Sequence, residues 1–457
     1  MESQTKKSKY EIDMCNGTIM DKLISFSLPL MLSGILQLMF NAVDIIVVGR
    51  FSGSQSLAAV GSTTALINMF TNLFIGISLG ANVLAARFYA AKREKEMSET
   101  VHTAITLALI SGIVMAFVGL IFSRFALELM DTPDDVIGLS TLYMRIYFLG
   151  MPFFMLYNYG AAILRAVGDT KRPLFFLVAA GVINAGLNLL LVIVFDMGVA
   201  GVAIGTIVSQ MFSSILVLRC LCRSEGSYKL SFSKLRIRGI YMKQIFQVGI
   251  PAGIQSTVIN FSNVLLQSSV NSFGSTAMAG YTAANNIFGF LYVTVNSVTQ
   301  TCMSFTSQNY GAGKSKRMDK VLIDCIILSV VITSILGVSA YGFGPELLKI
   351  YTEDAKVIQC GMEILLYTTV TYFLCGLMDL FPGALRGMGH SAVPMILSVI
   401  GTVGTRIVWI FWIFPAHRSL DILFISYPAS WIITIIMQVI CYYFVRKKVH
   451  RNMQRQV

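Results

Sequence analysis

The sequence predicts an all-α polytopic membrane protein: twelve transmembrane helices in two six-helix bundles related by a pseudo-twofold axis. Three observations predict this class. Of 457 residues, 55% are hydrophobic and only 13% charged, against about 25% charged in a soluble protein. Apolar runs long enough to cross a bilayer recur along the whole chain. The second half also repeats the first at a constant offset, which points to an internal duplication.

The spans fall near 23–49, 56–85, 100–122, 138–163, 173–195 and 198–219, then 246–272, 277–303, 321–342, 361–385, 393–414 and 424–445. The expected organisation is a polar tail (1–22), a first bundle (23–219), a basic linker (220–245), a second bundle (246–445) and a basic tail (446–457). Residues 1–20 contain no apolar run after a basic start, so no cleaved signal peptide is expected.

The net charge of +12 is a matter of topology. Alternate breaks between spans are basic: Lys6, Lys7, Lys9 and Lys22, then Arg87, Lys92, Arg93 and Lys95, then Arg165, Lys171 and Arg172. The pattern continues through Arg219 to Lys243, then Lys314, Lys316, Arg317 and Lys320, and ends with Arg446 to Arg455. The other breaks are neutral or acidic, as in Glu128, Asp131, Asp134 and Asp135. Positive loops stay on the cytoplasmic side, so both termini are expected there. This alternation absorbs almost all the Lys and Arg and leaves no footprint for nucleic acid. The eight cysteines are scattered, most of them in apolar runs, with no zinc-like spacing, and the four histidines share no metal-ligand spacing. No nucleophile and base stand together, so no enzyme is expected.

The duplication is read residue by residue. Leu164-Arg165-Ala-Val-Gly168 precedes Pro173, and Leu385-Arg386-Gly-Met-Gly389 precedes Pro394. Leu28-Pro29 matches Ile250-Pro251, Asn41 matches Asn263, and Phe88-Tyr89-Ala90-Ala91 matches Asn309-Tyr310-Gly311-Ala312. An even number of helices per half gives both halves the same orientation, so their axis lies along the membrane normal.

Polar residues inside the spans carry the functional signal. Asp44 lies within the first span, roughly 8 Å from Gly49 at about 1.5 Å per residue. An acid at that depth costs roughly 2.5 kcal/mol or more to insert and is a functional-site candidate by default. Asn184 and Asn188 share one helix face, and Thr206 lies at a similar depth in the next span. With Asn68 and Asn72 as possible support, these residues form an expected cluster with Asp44. A carboxylate among amides and a hydroxyl suits a proton or a hard cation, although interhelical hydrogen bonding alone would also account for the Asn and Thr residues. In the second half, Asp379 and Arg406 are expected to pair, because a mid-membrane Arg needs a partner. Gly311-Ala-Gly-Lys314-Ser315 lacks the first glycine of a phosphate loop and the strand before it.

These features resemble the multidrug and toxic compound extrusion (MATE) transporters. The resemblance rests on the twelve spans, the doubled Leu-Arg-x-x-Gly-x4-Pro, and Val43-Asp44-Ile-Ile-Val-Val-Gly49 followed by Leu57-Ala-Ala-Val-Gly61. Met197-Gly-Val-Ala-Gly-Val-Ala-Ile-Gly-Thr206 is similar to that family's sixth-helix start. The resemblance implies alternating access and export of organic, lipophilic cationic compounds driven by H⁺ or Na⁺. It places Asp44 on the first-helix acid used for cation coupling, and Asn184 and Thr206 in the amino-terminal polar cluster. Asn188 stands where proton-coupled members often carry Asp. Ile259 and Cys375 stand where a sodium-coupled branch carries acids, so protons are favoured over sodium. No cofactor is expected. The expected partners are a small organic substrate, H⁺ or Na⁺ and the lipid bilayer of the cell membrane, with the protein as a monomer. Two alternatives stay open: a flippase for a lipid-linked precursor, which would need a cationic cavity, and a non-transporting membrane receptor or scaffold.

Overall fold

Each apolar run lies on a helix, and no strand occurs among the described residues. The computed structural model describes residues 10–130 and 132–454; Lys6, Lys7, Lys9, Asp131 and Arg455, used above for topology, lie outside them. The spans are α1 (Met20–Phe51), α2 (Gly53–Ala90), α3 (Glu94–Leu129), α4 (Asp134–Leu149 with Met151–Ala166), α5 (Lys171–Val194) and α6 (Gly198–Arg223). The second half has α7 (Gly239–Asn271), α8 (Ser275–Gly311), α9 (Ser315–Gly342), α10 (Ala355–Thr369 with Tyr372–Gly387), α11 (Ala392–Ala416) and α12 (Leu420–Gln454).

Eight of these are long and apolar enough to cross a membrane singly, and α4 and α10 do so as bent pairs. The remaining two, α7 and α8, have 33 and 37 residues, enough at about 1.5 Å each to exceed the bilayer core. They are less apolar because Ser, Thr, Asn and Gln interrupt them.

The bends fall at equivalent places in the two halves, 46° in α4 and 44° in α10. In α4 the break is Gly150, with Pro152 just inside the next segment, and a proline there cannot extend a helix backwards. In α10 the Thr371 hydroxyl donates to the Tyr367 carbonyl at 2.6 Å, a back-bond that bends helices.

The doubled Leu-Arg-x-x-Gly motif is a helix stop. Gly168 N–H donates to Arg165 O at 3.1 Å and Asp169 N–H to Leu164 O at 2.9 Å. Gly389 and His390 repeat this on Arg386 and Leu385 at 2.8 and 2.9 Å. Both glycines have positive φ, 101° and 85°, the left-handed C′ residue of a Schellman turn. Beyond the turn, Asp169 is fully buried beside Arg172. Burial raises its carboxyl above the usual range, with Arg172 opposing.

The chain divides into two compact units. One contains Met1–Asp13 and Leu32–Gly253, and the other Met14–Met31 and Ile254–Val457. Their limits fall inside α1 and α7, shortly after Pro29 and Pro251, whereas the sequence suggested limits between helices. Proline removes a helical hydrogen bond, so each helix can serve different neighbours before and after it.

In the first unit, the leading part of α7 lies against α2 backbone to backbone. A Cβ on Gly76 would lie 2.3 Å from Gly253 N, and one on Gly80 would lie 2.1 Å from Ile245 O. One on Gly249 would meet Ile77 Cα at 2.4 Å. Gly76-x3-Gly80 against Gly249-x3-Gly253 is the small-residue crossing that lets membrane helices touch. In the second unit the leading part of α1 packs on α8, with Phe26 edge-on to Phe305 at 5.5 Å.

Each half is preceded by a short leader. Residues 10–13 belong to the first unit: Glu11 accepts from the Tyr89 and Tyr228 hydroxyls at 2.9 and 2.6 Å, and Arg172 lies 5.7 Å from the Tyr10 ring. Burial, reinforced by Glu11, pushes the Tyr228 phenol up to about 12. Residues 14–17 belong to the second unit. Arg317 donates to the carbonyls of Met14, Asn16 and Gly17 at 3.2, 3.0 and 2.8 Å. Lys314 donates to Cys15 O at 2.9 Å and Asn16 Oδ1 at 2.7 Å. The second leader, residues 228–238, docks on α3 of the first unit.

Arg317→Ala removes three bonds from one charged donor. The expected loss is about 2 kcal/mol, read as a fall of a few degrees in thermal melting of the purified protein. Arg317→Lys recovers only part of it, because an ammonium lacks the guanidinium fork. An unchanged melt for Arg317→Ala would show that the leader is not held by these bonds.

A candidate cation-coupling site

Asp44 comes from α1, Asn184 and Asn188 from α5, and Thr206 from α6, all in the first unit. The structure brings these four together. Asn188 Nδ2 donates to Asp44 Oδ1, and the Thr206 hydroxyl lies 3.4 Å from Asp44 Oδ2. Asn184 Nδ2 reaches Thr206 Oγ1 at 3.4 Å, and Asn188 Nδ2 also lies 3.4 Å from Asn184 Oδ1. Asp44 is 7% exposed and Asn188 fully buried. No cation pairs with Asp44 among the described residues. Asn188 Oδ1 is buried without a partner.

Two glycines make the cluster possible. A Cβ on Gly181 would lie 1.6 Å from Phe40 Cζ, and one on Gly205 would lie 2.4 Å from Asn188 Oδ1. Phe40 stands one turn before Asp44 on the same face of α1. Gly181 therefore lets α1 seat against α5, and Gly205 leaves room for the Asn188 amide. Just beyond Asn188, residues Leu190–Val194 form a wide π-helical turn, a feature frequent at functional sites.

Sequence reasoning missed these glycines and also Tyr143 and Tyr147. Both phenols lie on α4 close enough to feel the Asp44 charge, and Tyr147 is further tied to Gln210. Their spacing of four residues on one helix face was a readable signal. Asn68 and Asn72 do not join the cluster: Asn68 is exposed, Asn72 is half-buried, and neither hydrogen-bonds Asp44.

The expected Asp379–Arg406 pair does not form. Arg406 Nη1 donates to Asn263 Oδ1 at 2.8 Å and Ser262 Oγ at 3.3 Å, and its guanidinium lies 4.5 Å from the Tyr427 ring. Asp379 instead faces Arg386 and Tyr292, and Arg386 donates to Gln255 Oε1 at 2.6 Å. The physical reason is helical phase. Arg386 is seven residues from Asp379, two turns along one face, whereas depth counting said nothing about which way each helix is turned. Arg406 is thus accommodated by an amide, a hydroxyl and a π face, with no carboxylate paired to it among the described residues. Lys314 is bonded to the leader, in keeping with the rejection of the phosphate loop.

The MatE family model matches the chain twice, over residues 29–190 and 251–412, two copies of equal length at the offset of the repeat. The chain is 30% identical to the probable multidrug resistance protein YoeA of Bacillus subtilis over 93% of each chain. It is 22% identical to the multidrug export protein MepA of Staphylococcus aureus, over 83% of this chain and 84% of that one. A solved outward-facing multidrug resistance MATE family transporter superposes with a TM-score of 0.87 at 19% identity, covering 98% of this chain and all of that one. A MOP superfamily transporter from Pyrococcus furiosus gives 0.88 at 20%, covering 97% and 99%. At such identities the solved structures speak for the fold alone.

Proposed function

The chain belongs to the MatE family of membrane transporters, and from that premise we propose that it exports lipophilic organic cations in exchange for protons by alternating access. The observation that carries the proton reading is Asp44, a buried intramembrane acid held by an amide and a hydroxyl and facing no counter-ion. Burying an unpaired charge is costly, so the charge state of Asp44 is a strong lever on local packing.

In the ionised state Asp44 accepts from Asn188 and Thr206 and attracts a cationic substrate. Protonation removes the charge and turns one carboxyl oxygen into a donor. Asn188 Oδ1, buried without a partner, is an acceptor ready for that proton once the amide turns. The hydrogen bonds joining α1, α5 and α6 must then rearrange, which links the proton to helix packing and to release of the substrate. The names of the relatives, multidrug resistance and multidrug export proteins, support export of organic compounds. The alternation of basic loops supports a cell-membrane orientation with both termini in the cytoplasm, and we infer a monomer.

One observation favours a second reading, coupling to Na⁺. The two Asp44 oxygens, Thr206 Oγ1 and Asn184 Oδ1, joined by Asn188 Oδ1 once that amide turns its nitrogen away from Asp44, would make an all-oxygen donor set of the kind hard cations take.

The test is flux of a fluorescent lipophilic cation from proteoliposomes under an imposed proton gradient or an imposed sodium gradient. Protons alone are expected to drive export. Flux with sodium alone would replace the first reading by the second. No flux of any lipophilic cation under either gradient would remove antiport and direct attention to lipid flipping.

A further inference from the structure

We propose that the first unit binds the phosphate headgroup of an anionic phospholipid in a basic cleft between α3 and the second leader. The cleft has a volume of about 390 Å³ and is lined by Lys95, Ser98, Glu99, Ser233, Lys234 and Arg236, among others. Three cations face one carboxylate there. Glu99 is already engaged, by Arg236 at 2.9 Å and Arg238 at 3.3 Å. Lys95 and Lys234 are exposed and form no hydrogen bond or ion pair with any described residue. The cleft therefore holds uncommitted positive charge.

Its rim is built. His102, 3% exposed, accepts from Ser231 N–H through Nε2 at 3.1 Å and donates from Nδ1 to Ser98 O at 2.6 Å. The two bonds agree on one neutral tautomer. Thr103 Oγ1 accepts from Arg238 N–H at 3.2 Å. These bonds pin the leader across the start of α3 and hold the lysines on either side of a gap.

The same leader and the first turn of α7 expose large apolar side chains. Phe232 is 61% exposed, Ile240 64% and Ile237 38%. Exposed Phe and Ile interleaved with Lys and Arg, on a segment joining two membrane helices, have the chemistry of an interfacial anchor: apolar groups enter the acyl boundary while cations meet headgroups. A free phosphate would use the lysines and ignore Phe232 and Ile240, so the apolar flank selects a lipid. The equivalent cleft of the second unit, about 470 Å³, has Arg317 and Lys320 against Asp324. Its Arg317 is committed to three carbonyls, so the stronger site is the first.

The experiment counts phosphatidylglycerol retained by the full-length protein in native mass spectrometry, and follows thermal melting in phosphatidylcholine with and without phosphatidylglycerol. The comparison is wild type against K95Q/K234Q and F232S. A surface lysine is worth roughly fivefold in anionic-lipid binding, so the double variant should bind about thirtyfold more weakly and lose the phosphatidylglycerol-dependent rise in melting. Its melt in phosphatidylcholine should match wild type, since neither lysine has a partner to lose. F232S should weaken lipid binding too. Equal retention of phosphatidylglycerol by wild type and K95Q/K234Q would overturn the site. Displacement of the lipid by inorganic phosphate at similar concentration, with F232S unchanged, would overturn the lipid in favour of a free anion.

Discussion

Asp44→Asn is expected to fold at least as well as the wild type and to lose driven export roughly a hundredfold, the upper range of a coupling free energy between two sites. The substitution is nearly isosteric. Asn188 can still donate to the new amide oxygen, and the Thr206 hydroxyl can turn from donor to acceptor. What disappears is the titratable charge. Removing an unpaired buried charge relieves a cost, so the melting temperature should hold or rise while transport falls. This opposite movement separates a coupling residue from a structural one, because a residue that only joins helices would lower both. Export at the wild-type rate by Asp44→Asn would end the proposal for Asp44. A Glu at the same place keeps the charge but adds a methylene beside Phe40 and Asn188, and should keep part of the activity.

The second large effect lies at the glycine crossing of α2 and α7. Gly80→Leu places a Cβ where Ile245 O stands 2.1 Å away, and Gly76→Leu meets Gly253 N at 2.3 Å. The obstructing atoms are backbone, so no side chain can swing aside, and two helices must separate over their closest approach. Overpacking usually costs about 1–3 kcal/mol, but here the expected cost passes about 4 kcal/mol, the range where single substitutions unfold proteins. Either variant should give no monodisperse peak on size-exclusion chromatography in detergent. Gly76→Ala should be milder but clearly destabilising. Gly61→Ala, with nothing within 4 Å of its Cβ, is the control and should leave the melt unchanged. A well-folded Gly80→Leu would mean that the crossing is looser than described.

Much of this architecture was legible because membrane helices write themselves in long apolar runs. The repeat was legible because both copies kept the same stop: Gly168 and Gly389 are retained where the backbone takes a left-handed turn. The Asp44 grouping was legible by depth, since counting residues from a helix end locates a side chain along the membrane normal. Rotation about the helix axis was not read. That is why depth alone pairs Arg406 with Asp379 and not with Asn263, and groups Asn68 with Asp44 although Asn68 is exposed. The Gly-x3-Gly pairs in α2 and α7 stand in the sequence, but spacing names a contact surface without naming its partner. The division of α1 and α7 between units had no signal beyond Pro29 and Pro251, since a proline marks where a helix can change neighbours and not which ones it takes.

The leader and start of α1 also set an order of events during synthesis. Residues 14–17 leave the ribosome first among the described parts of the second unit, yet Arg317, which binds them, lies 303 residues beyond Met14. At about 5–20 residues per second, that interval is roughly 15–60 s. The second leader meets no such delay, since His102 and Thr103 precede it in the chain. The start of the first span is thus among the last parts to find its neighbours, although Phe40 and Asp44 further along it meet α5 and α6 much sooner, and a chain halted before Arg317 would leave the leader ahead of that span without the bonds that later hold it.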